Sequence, residues 1–581
     1  MKKSKFLALI VLAVFALSSC NSLEKMKKNH ADVTYKVVPE VLEEQGGEVA
    51  VSVTGTFPEK YFNKKAVVEI TPVLVYEGGE TAYDPVIVQG EKVQENNKVI
   101  SYEGGGFSYA DKVDFVTPMR VSDLVLRVKA SISDKKETYF DDMKIADGVI
   151  ATSTYVAKQD EPILMPDKFQ RIVADAKMAD IMYLINRSDI RGSQLKSEDV
   201  RAINDFLKEV KAAENLEFVG TEISSYASPD GELDFNEKLS EKRGVNSKKY
   251  FERELNRAKV EEAQKDGFLT TKVTAEDWEG FQKLMAESNI QDKDLILRVL
   301  SMYSDPVVRE REIKNISAAY GQVAKDVLPQ LRRSKIQVNV NKIGFSDEEI
   351  MKYIKSKPDT LGLEEILYAG TLFEDPTDKG EIYVYALERY PKCVRAANNI
   401  GYVAMEVGDY EDAKAAFEKA QSLYDNDAVK NNLGWASMML EDYDKAKDYF
   451  TSVSNPGKET NDGLGVLAVM DGDYQAAANY FGNTPSYNAA LTKVLNKDYQ
   501  GAKTMLDGIT ETDVPCKVAY LKGIVGSYLG DETYMWNGLT KAIEIHPGLK
   551  EVLATDMVFA KYFEDDKFKA QIGRASCRER V

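Results

Sequence analysis

The chain has 581 residues and a net charge of -18, with 44% hydrophobic, 10% aromatic and 29% charged residues. That length exceeds what one hydrophobic core supports, so three or four folded domains are expected, and the acidity argues against a nucleic-acid partner, which needs clustered Lys and Arg. Two histidines, and four cysteines (Cys20, Cys393, Cys516, Cys577) with no CxxC pair, give no metal site, no cofactor and no disulfide framework to expect.

The N-terminus reads as an address. Lys2, Lys3 and Lys5 precede an apolar run from Phe6 to Leu17, too short to span a bilayer, and then Ser18-Ser19-Cys20. Leu17-Ser18-Ser19-Cys20 resembles the lipobox of bacterial lipoproteins. The resemblance implies that residues 1–20 hold the signal and that Cys20 becomes the lipidated first residue of an outer-membrane lipoprotein. Residues 21–29, basic on balance, are expected to be a short tether, with the body on the periplasmic face.

From about 30 to 160, alternating runs such as Glu48–Val53 and Leu124–Lys129 are separated by Gly46-Gly47, Gly78-Gly79 and Gly104–Gly106. Short alternating strands with Gly-rich turns predict an antiparallel β-sandwich. Gly104–Gly106 lacks the Lys-Ser/Thr and the helix of a phosphate loop, so a hairpin or bulge is expected there.

The stretch 176–345 predicts an α+β domain. Ile181–Ile185 and Leu216–Tyr226 read as strands, Ser197 as the cap of a helix with Val200, Ile203, Phe206, Leu207 and Val210 inward, and 234–255 as a second helix. A helical insertion is expected over 256–330, starting at a capping-box-like Thr274–Asp277, with Trp278 as a packing anchor and Asp305-Pro306 opening another helix. Alternating Ile336–Val340 closes the domain as a strand. Ser228-Pro229-Asp230-Gly231 followed by Asn236, Leu239, Ser240 and Arg243 resembles the OmpA-like domain signature, and so does Arg332-Arg333 before the last strand. The resemblance implies a peptidoglycan-binding pocket formed by Ser228, Asp230, Asn236 and Arg243. Ser228 stands where the family has an acid and Gly244 where it has alanine. Arg243 either holds a diaminopimelate carboxylate through paired hydrogen bonds or braces the turn by pairing with Asp230 or Glu232.

Over 347–570 the sequence repeats. Gly401, Tyr410, Ala413 and Phe417 recur as Gly434, Tyr443, Ala446 and Phe450, then as Gly465, Tyr474, Ala477 and Phe481, with echoes at Tyr499, Ala502 and Leu506. This resembles the tetratricopeptide repeat (TPR), an all-α solenoid of paired helices. In such arrays asparagines just before the small residue clamp peptide backbone, so Asn398, Asn399, Asn431 and Asn432 are either peptide-binding residues or plain helix-surface polarity. Residues 572–581 resemble the translation of a sequencing adapter and are expected to be an artefact.

The expectation is a non-enzymatic outer-membrane lipoprotein scaffold facing the periplasm, touching peptidoglycan through the OmpA-like domain and proteins through the repeats. The alternative is a surface-exposed adhesion or assembly lipoprotein whose OmpA-like unit is structural. No nucleophile elbow, paired-His motif or metal spacing points to an enzyme.

Overall fold

The computed structural model describes residues 22–132 and 137–573, with side chains except at 317–319. Cys20, Cys577 and the segment 574–581 lie outside the described residues. The chain forms two compact units: the residues up to Met165 together with those from Lys379 onward, and Pro166–Asp378.

In the first unit a helix covers 22–28, within the stretch read as a tether, and its Leu23 and Met26 are buried with Phe57 and Phe62 in one apolar cluster. Eleven strands follow in one sheet. Its order is Thr34–Val38, Glu48–Phe57, Val41–Gln45, Met143–Ile150, Ser122–Ser131, Val67–Tyr76, Val86–Gly90 and Lys98–Ile100. Three further strands, Gly79–Ala82, Gly105–Asp114 and Thr138–Tyr139, pair off that path. The expected antiparallel sandwich is thus replaced by one curled, mixed sheet. Its cause is the short strand Val41–Gln45, which pairs antiparallel with the start of Glu48–Phe57 and parallel with Met143–Ile150, joining two halves that would otherwise be separate sheets. Gly46 and Gly47, at φ 64° and 78°, supply the left-handed turn this needs. Strand residues alternate between buried and half-buried, as in Ser122–Ser131, and the inward ones fill the apolar clusters around Phe57 and around Leu42. At Gly106 a Cβ would meet the Gly55 carbonyl oxygen at 2.7 Å, so the glycine run serves close strand approach.

Helix pairs make up most of the remainder of this unit. First helices Val394–Glu406, Asp427–Met439, Lys458–Met470, Tyr487–Leu495 and Pro515–Leu529 alternate with Tyr410–Leu423, Tyr443–Thr451, Tyr474–Phe481, Tyr499–Asp507 and Glu532–Ile545. Every second helix is capped by an aspartate (Asp409, Asp442, Asp473, Asp498, Asp531) that accepts the backbone N–H three residues on. The residue before each cap is left-handed: Gly408, Glu441, Gly472, Lys497 and Gly530. The repeating glycine has a packing cause. A Cβ at Gly401, Gly434 or Gly465 would lie 2.6, 2.5 or 2.6 Å from a ring carbon of Phe417, Phe450 or Phe481.

In the second unit a four-stranded sheet has the order Ile172–Met182, Arg333–Ile343, Leu216–Tyr226, Leu269–Thr274. Helices Glu198–Ala212 and Leu233–Ala258 share its core through Val200, Ile203, Leu207, Tyr250 and Phe251. Several boundaries differ from expectation. The first strand starts at Ile172, and Leu184 and Ile185 beyond its end are exposed, because Tyr183 is the last residue turned into the core. Leu269–Thr274, inside the expected helical insertion, is a strand parallel to Thr221–Tyr226. Asp277, not Thr274, caps the helix Trp278–Glu287, and Trp278 packs edge-on to Phe281 at 5.7 Å. Helices Asp347–Ser356 and Leu363–Ala369, expected to open the repeat array, belong to this unit. Among the described residues, no helix is long and apolar enough to cross a membrane.

Candidate functional site

The inner face of the repeats holds a segment of the same chain. After the strand Met143–Ile150 and a short turn at Thr152–Tyr155, residues 156–165 run without regular secondary structure across the first helices. Val156 and Ala157 are buried in the apolar core of the repeats. Asn488 takes both polar groups of Ala157, accepting its N–H at 2.9 Å and donating to its carbonyl at 2.8 Å. Asn432 treats Ile163 the same way, at 2.6 and 2.9 Å, and Asn399 does so for Met165, at 2.9 and 2.9 Å. Asn431 donates to the Glu161 carbonyl at 3.0 Å and Asn398 to that of Ile163 at 2.9 Å.

The asparagines are themselves tied together. Asn432 donates to Asn398 at 2.9 Å, Asn398 to Asn399 and Asn431 to Asn432 at 3.2 Å each, and Thr460 donates to Asn431 at 3.0 Å. All four paired asparagines are at most 1% exposed. Buried amides without partners would each cost about 1–3 kcal/mol, so the network is held open only if chain backbone fills it. Residues 161, 163 and 165 present their backbone to the asparagines in turn, the period-two geometry of an extended segment. The segment runs opposite to the repeat order, meeting Asn488 first and Asn399 last.

Side chains add a few contacts. Lys458 pairs with Glu161 at 2.5 Å and with Asp462 at 2.7 Å. Lys158 lies 4.6 Å from the Tyr443 ring centre, and the Tyr487 hydroxyl donates to the Tyr155 carbonyl at 2.9 Å. Burial raises the Glu161 carboxyl above its ordinary value despite Lys458, and its Oε2 has no hydrogen bond. Tyr155 stacks edge-on to Tyr520 at 5.5 Å, and both hydroxyls donate to Asp556.

The four asparagines singled out from sequence therefore all meet peptide backbone. Asn488 and Lys458 were missed. Asn488 was findable: the register shift of 25 from Tyr474 to Tyr499 carries Gly463 to Asn488, and Gly463 is the third-repeat equivalent of Asn399 and Asn432.

The second group is arranged differently. Arg243, on the helix Leu233–Ala258, is 1% exposed. Its Nε donates to the Arg187 carbonyl at 3.0 Å, Nη1 to Tyr226 at 2.8 Å and Nη2 to Leu184 at 3.3 Å, with the Tyr183 ring 5.0 Å away. Burial pushes its guanidinium down to about 10. Neither expected role is seen: the fork that would hold a ligand carboxylate is engaged with main chain, and Asp230 pairs instead with Arg332 at 3.1 Å. Ser228 donates to Asp230 and accepts from Arg332 Nε at 3.1 Å, while Asn236 donates to the Ser228 and Gly231 carbonyls at 3.3 and 3.5 Å. Ser228, Asp230, Asn236 and Arg332 form one closed polar knot around the turn, and Arg243 stands beside it.

Elsewhere, a cleft of about 680 Å³ lies between the helices Glu198–Ala212 and Leu233–Ala258, lined by Arg201, Lys208, Lys211, Glu254 and Arg257. Lys208 pairs with Asp205 at 2.8 Å, Arg257 with Glu254 at 2.6 Å and Lys211 with Glu261 at 3.4 Å. Among the described residues, no group of three or more His, Cys, Asp or Glu could hold a metal ion.

Comparison with known proteins agrees on the repeats. Residues 394–427 match the tetratricopeptide repeat family. A tetratricopeptide repeat protein from Parabacteroides merdae ATCC 43184 is similar over 36% of this chain and 91% of its own, at 17% identity and a TM-score of 0.29. YrrB, a TPR protein with an unusual peptide-binding site, is similar over 35% of this chain and 94% of its own, at 19% identity and a TM-score of 0.20. The APC/C hetero-tetramer Cut9-Hcn1 is similar over 58% of this chain and 66% of its own, at 15% identity and a TM-score of 0.32. No curated protein matches the chain. The C-terminal region is a TPR-like array of paired helices that contains the matched repeat.

Proposed function

We propose that this chain is a non-enzymatic scaffold whose repeat array grips extended protein segments by their backbone. The asparagine ladder carries the reading. It engages N–H and C=O groups that every segment has, at Ala157, Ile163 and Met165, and so suits a surface for protein partners.

Placement at the outer membrane, with the body in the periplasm, belongs to the same proposal and rests on the lipobox-like Leu17–Cys20. The OmpA-like resemblance is kept for the second unit as a fold, supported by the strand–turn–helix from Leu216 to Ala258, with Asn236 of the helix donating to the Ser228 carbonyl of the turn. Peptidoglycan binding is not kept, because Arg243 has its donors on its own main chain.

Two measurements test this reading. Cys20→Ala is expected to move the chain from the membrane fraction to the soluble fraction, and retention would contradict lipid anchoring. A photo-cross-linking residue in place of Lys458, activated in living cells, is expected to give an intermolecular adduct that the Asn399→Ala/Asn432→Ala pair removes. Adducts only to residues 155–165 of the same chain would contradict a partner-binding array.

A further inference from the structure

The inner face of the array is occupied by the chain itself, and the manner of that occupation specifies what else fits. We infer that residues 158–165 are an exchangeable strap, and that the partner segment replacing it shares its chemistry: an extended stretch with a carboxylate, then proline, then aliphatic residues, as in Glu161-Pro162-Ile163-Leu164-Met165. This rests on the scaffold reading and narrows it to a ligand class.

The anchoring is in two parts. Val156 and Ala157 are buried in the repeat core, whereas every residue from Lys158 to Met165 is only half-buried and none is in a helix or strand. The fixed end is therefore apolar packing, and the remainder is held chiefly by amide hydrogen bonds that any extended backbone reproduces. Such bonds exchange readily, because incoming main chain replaces outgoing main chain one for one.

Selectivity comes from the side chains. Lys458 stands at Glu161, and a proline after the carboxylate disfavours helix for the residue before it, keeping the stretch extended. Pro162 also falls between Glu161 and Ile163, where no asparagine requires an N–H. The strap is an imperfect occupant: Glu161 Oε2 is buried without a hydrogen bond. A partner segment that satisfies this oxygen while keeping the pair with Lys458 binds better than the strap does.

The test uses a fluorescent peptide with the sequence of residues 155–167 and two full-length proteins: the unaltered chain, and one with residues 158–165 replaced by a Gly/Ser segment of equal length, its fold checked by circular dichroism. The replaced chain is expected to bind the peptide at least about tenfold more tightly than the unaltered chain. A peptide carrying Gln for Glu161 is expected to bind more weakly. In the unaltered chain, excess peptide is expected to release the Ile163 and Met165 amides to hydrogen exchange. If the replaced chain binds but the strap amides of the unaltered chain never respond, the strap is a permanent part of the fold; the inference is overturned and the scaffold reading stands. If the folded, replaced chain does not bind, both are overturned.

Discussion

Asn432 in the repeat array and Arg243 in the second unit are both buried polar side chains that donate to main-chain carbonyls. They differ in whose main chain that is. Arg243 ties together Tyr226, at the end of the strand before its own helix, and Leu184 and Arg187, in the loop after the first strand. Asn432 holds Ile163, a residue of a segment with no secondary structure that reaches it from the far side of the repeats. One arrangement fastens a fold; the other presents a row of sockets that a strand of polypeptide fills. Polar burial alone does not identify a binding site, and the origin of the partner atoms does.

Removing each side chain should break the comparison differently. Arg243→Ala leaves three carbonyls and a void, and is expected to destabilise the second unit by about 3 kcal/mol in urea unfolding. Arg243→Ala without measurable loss would return that residue to the list of ligand-binding candidates. Next in size is the platform beneath the asparagines. Gly434→Ala drives a Cβ to 2.5 Å from Phe450 and should cost about 2 kcal/mol, lowering the thermal midpoint of the first unit. Asn432→Ala should cost about 1 kcal/mol in overall stability but loosen the strap selectively, seen as faster proteolysis between residues 158 and 165 with the repeats intact.

His30 is a third kind of buried polar group, with neither ring nitrogen hydrogen-bonded, packed edge-on to Tyr35 and Phe140. Burial lowers its pKa from 6.5, with Asp141 opposing. The unfolded chain therefore takes up the proton first as pH falls below about 6.5, and the first unit loses stability through that window. His30→Phe should flatten the slope between pH 7.5 and pH 5, measured by denaturant midpoint. The smallest effect concerns the turns: Glu441 is left-handed at φ 61° where three of its four counterparts are glycine, so Glu441→Gly should stabilise by under about 1 kcal/mol.

Much of the repeat region was legible because its determinants are local. The Asp-Tyr step is a cap followed by the first helical residue, and Gly434 and Phe450 meet within one helix pair. The strap was not legible. Ala157–Met165 carries no period of two or 3.6, and its course is set by asparagines more than two hundred residues away. The role of Arg243 was hidden for a related reason: helical spacing places it on a face but does not say which carbonyls it meets. The mixed character of the first sheet escaped because Val41–Gln45 reads as an ordinary short strand, and only its parallel neighbour Met143–Ile150, a hundred residues on, reveals the join.

The most direct measurement is residue-resolved hydrogen exchange across the strap in the unaltered chain, Asn399→Ala and Asn432→Ala. The account predicts that the Ile163 and Met165 amides are protected relative to Leu164, that Asn432→Ala exposes Ile163 first, and that Asn399→Ala exposes Met165 first. Equal exchange of all three amides in the unaltered chain would contradict the ladder, and with it the assignment of the repeat face as a holder of extended polypeptide.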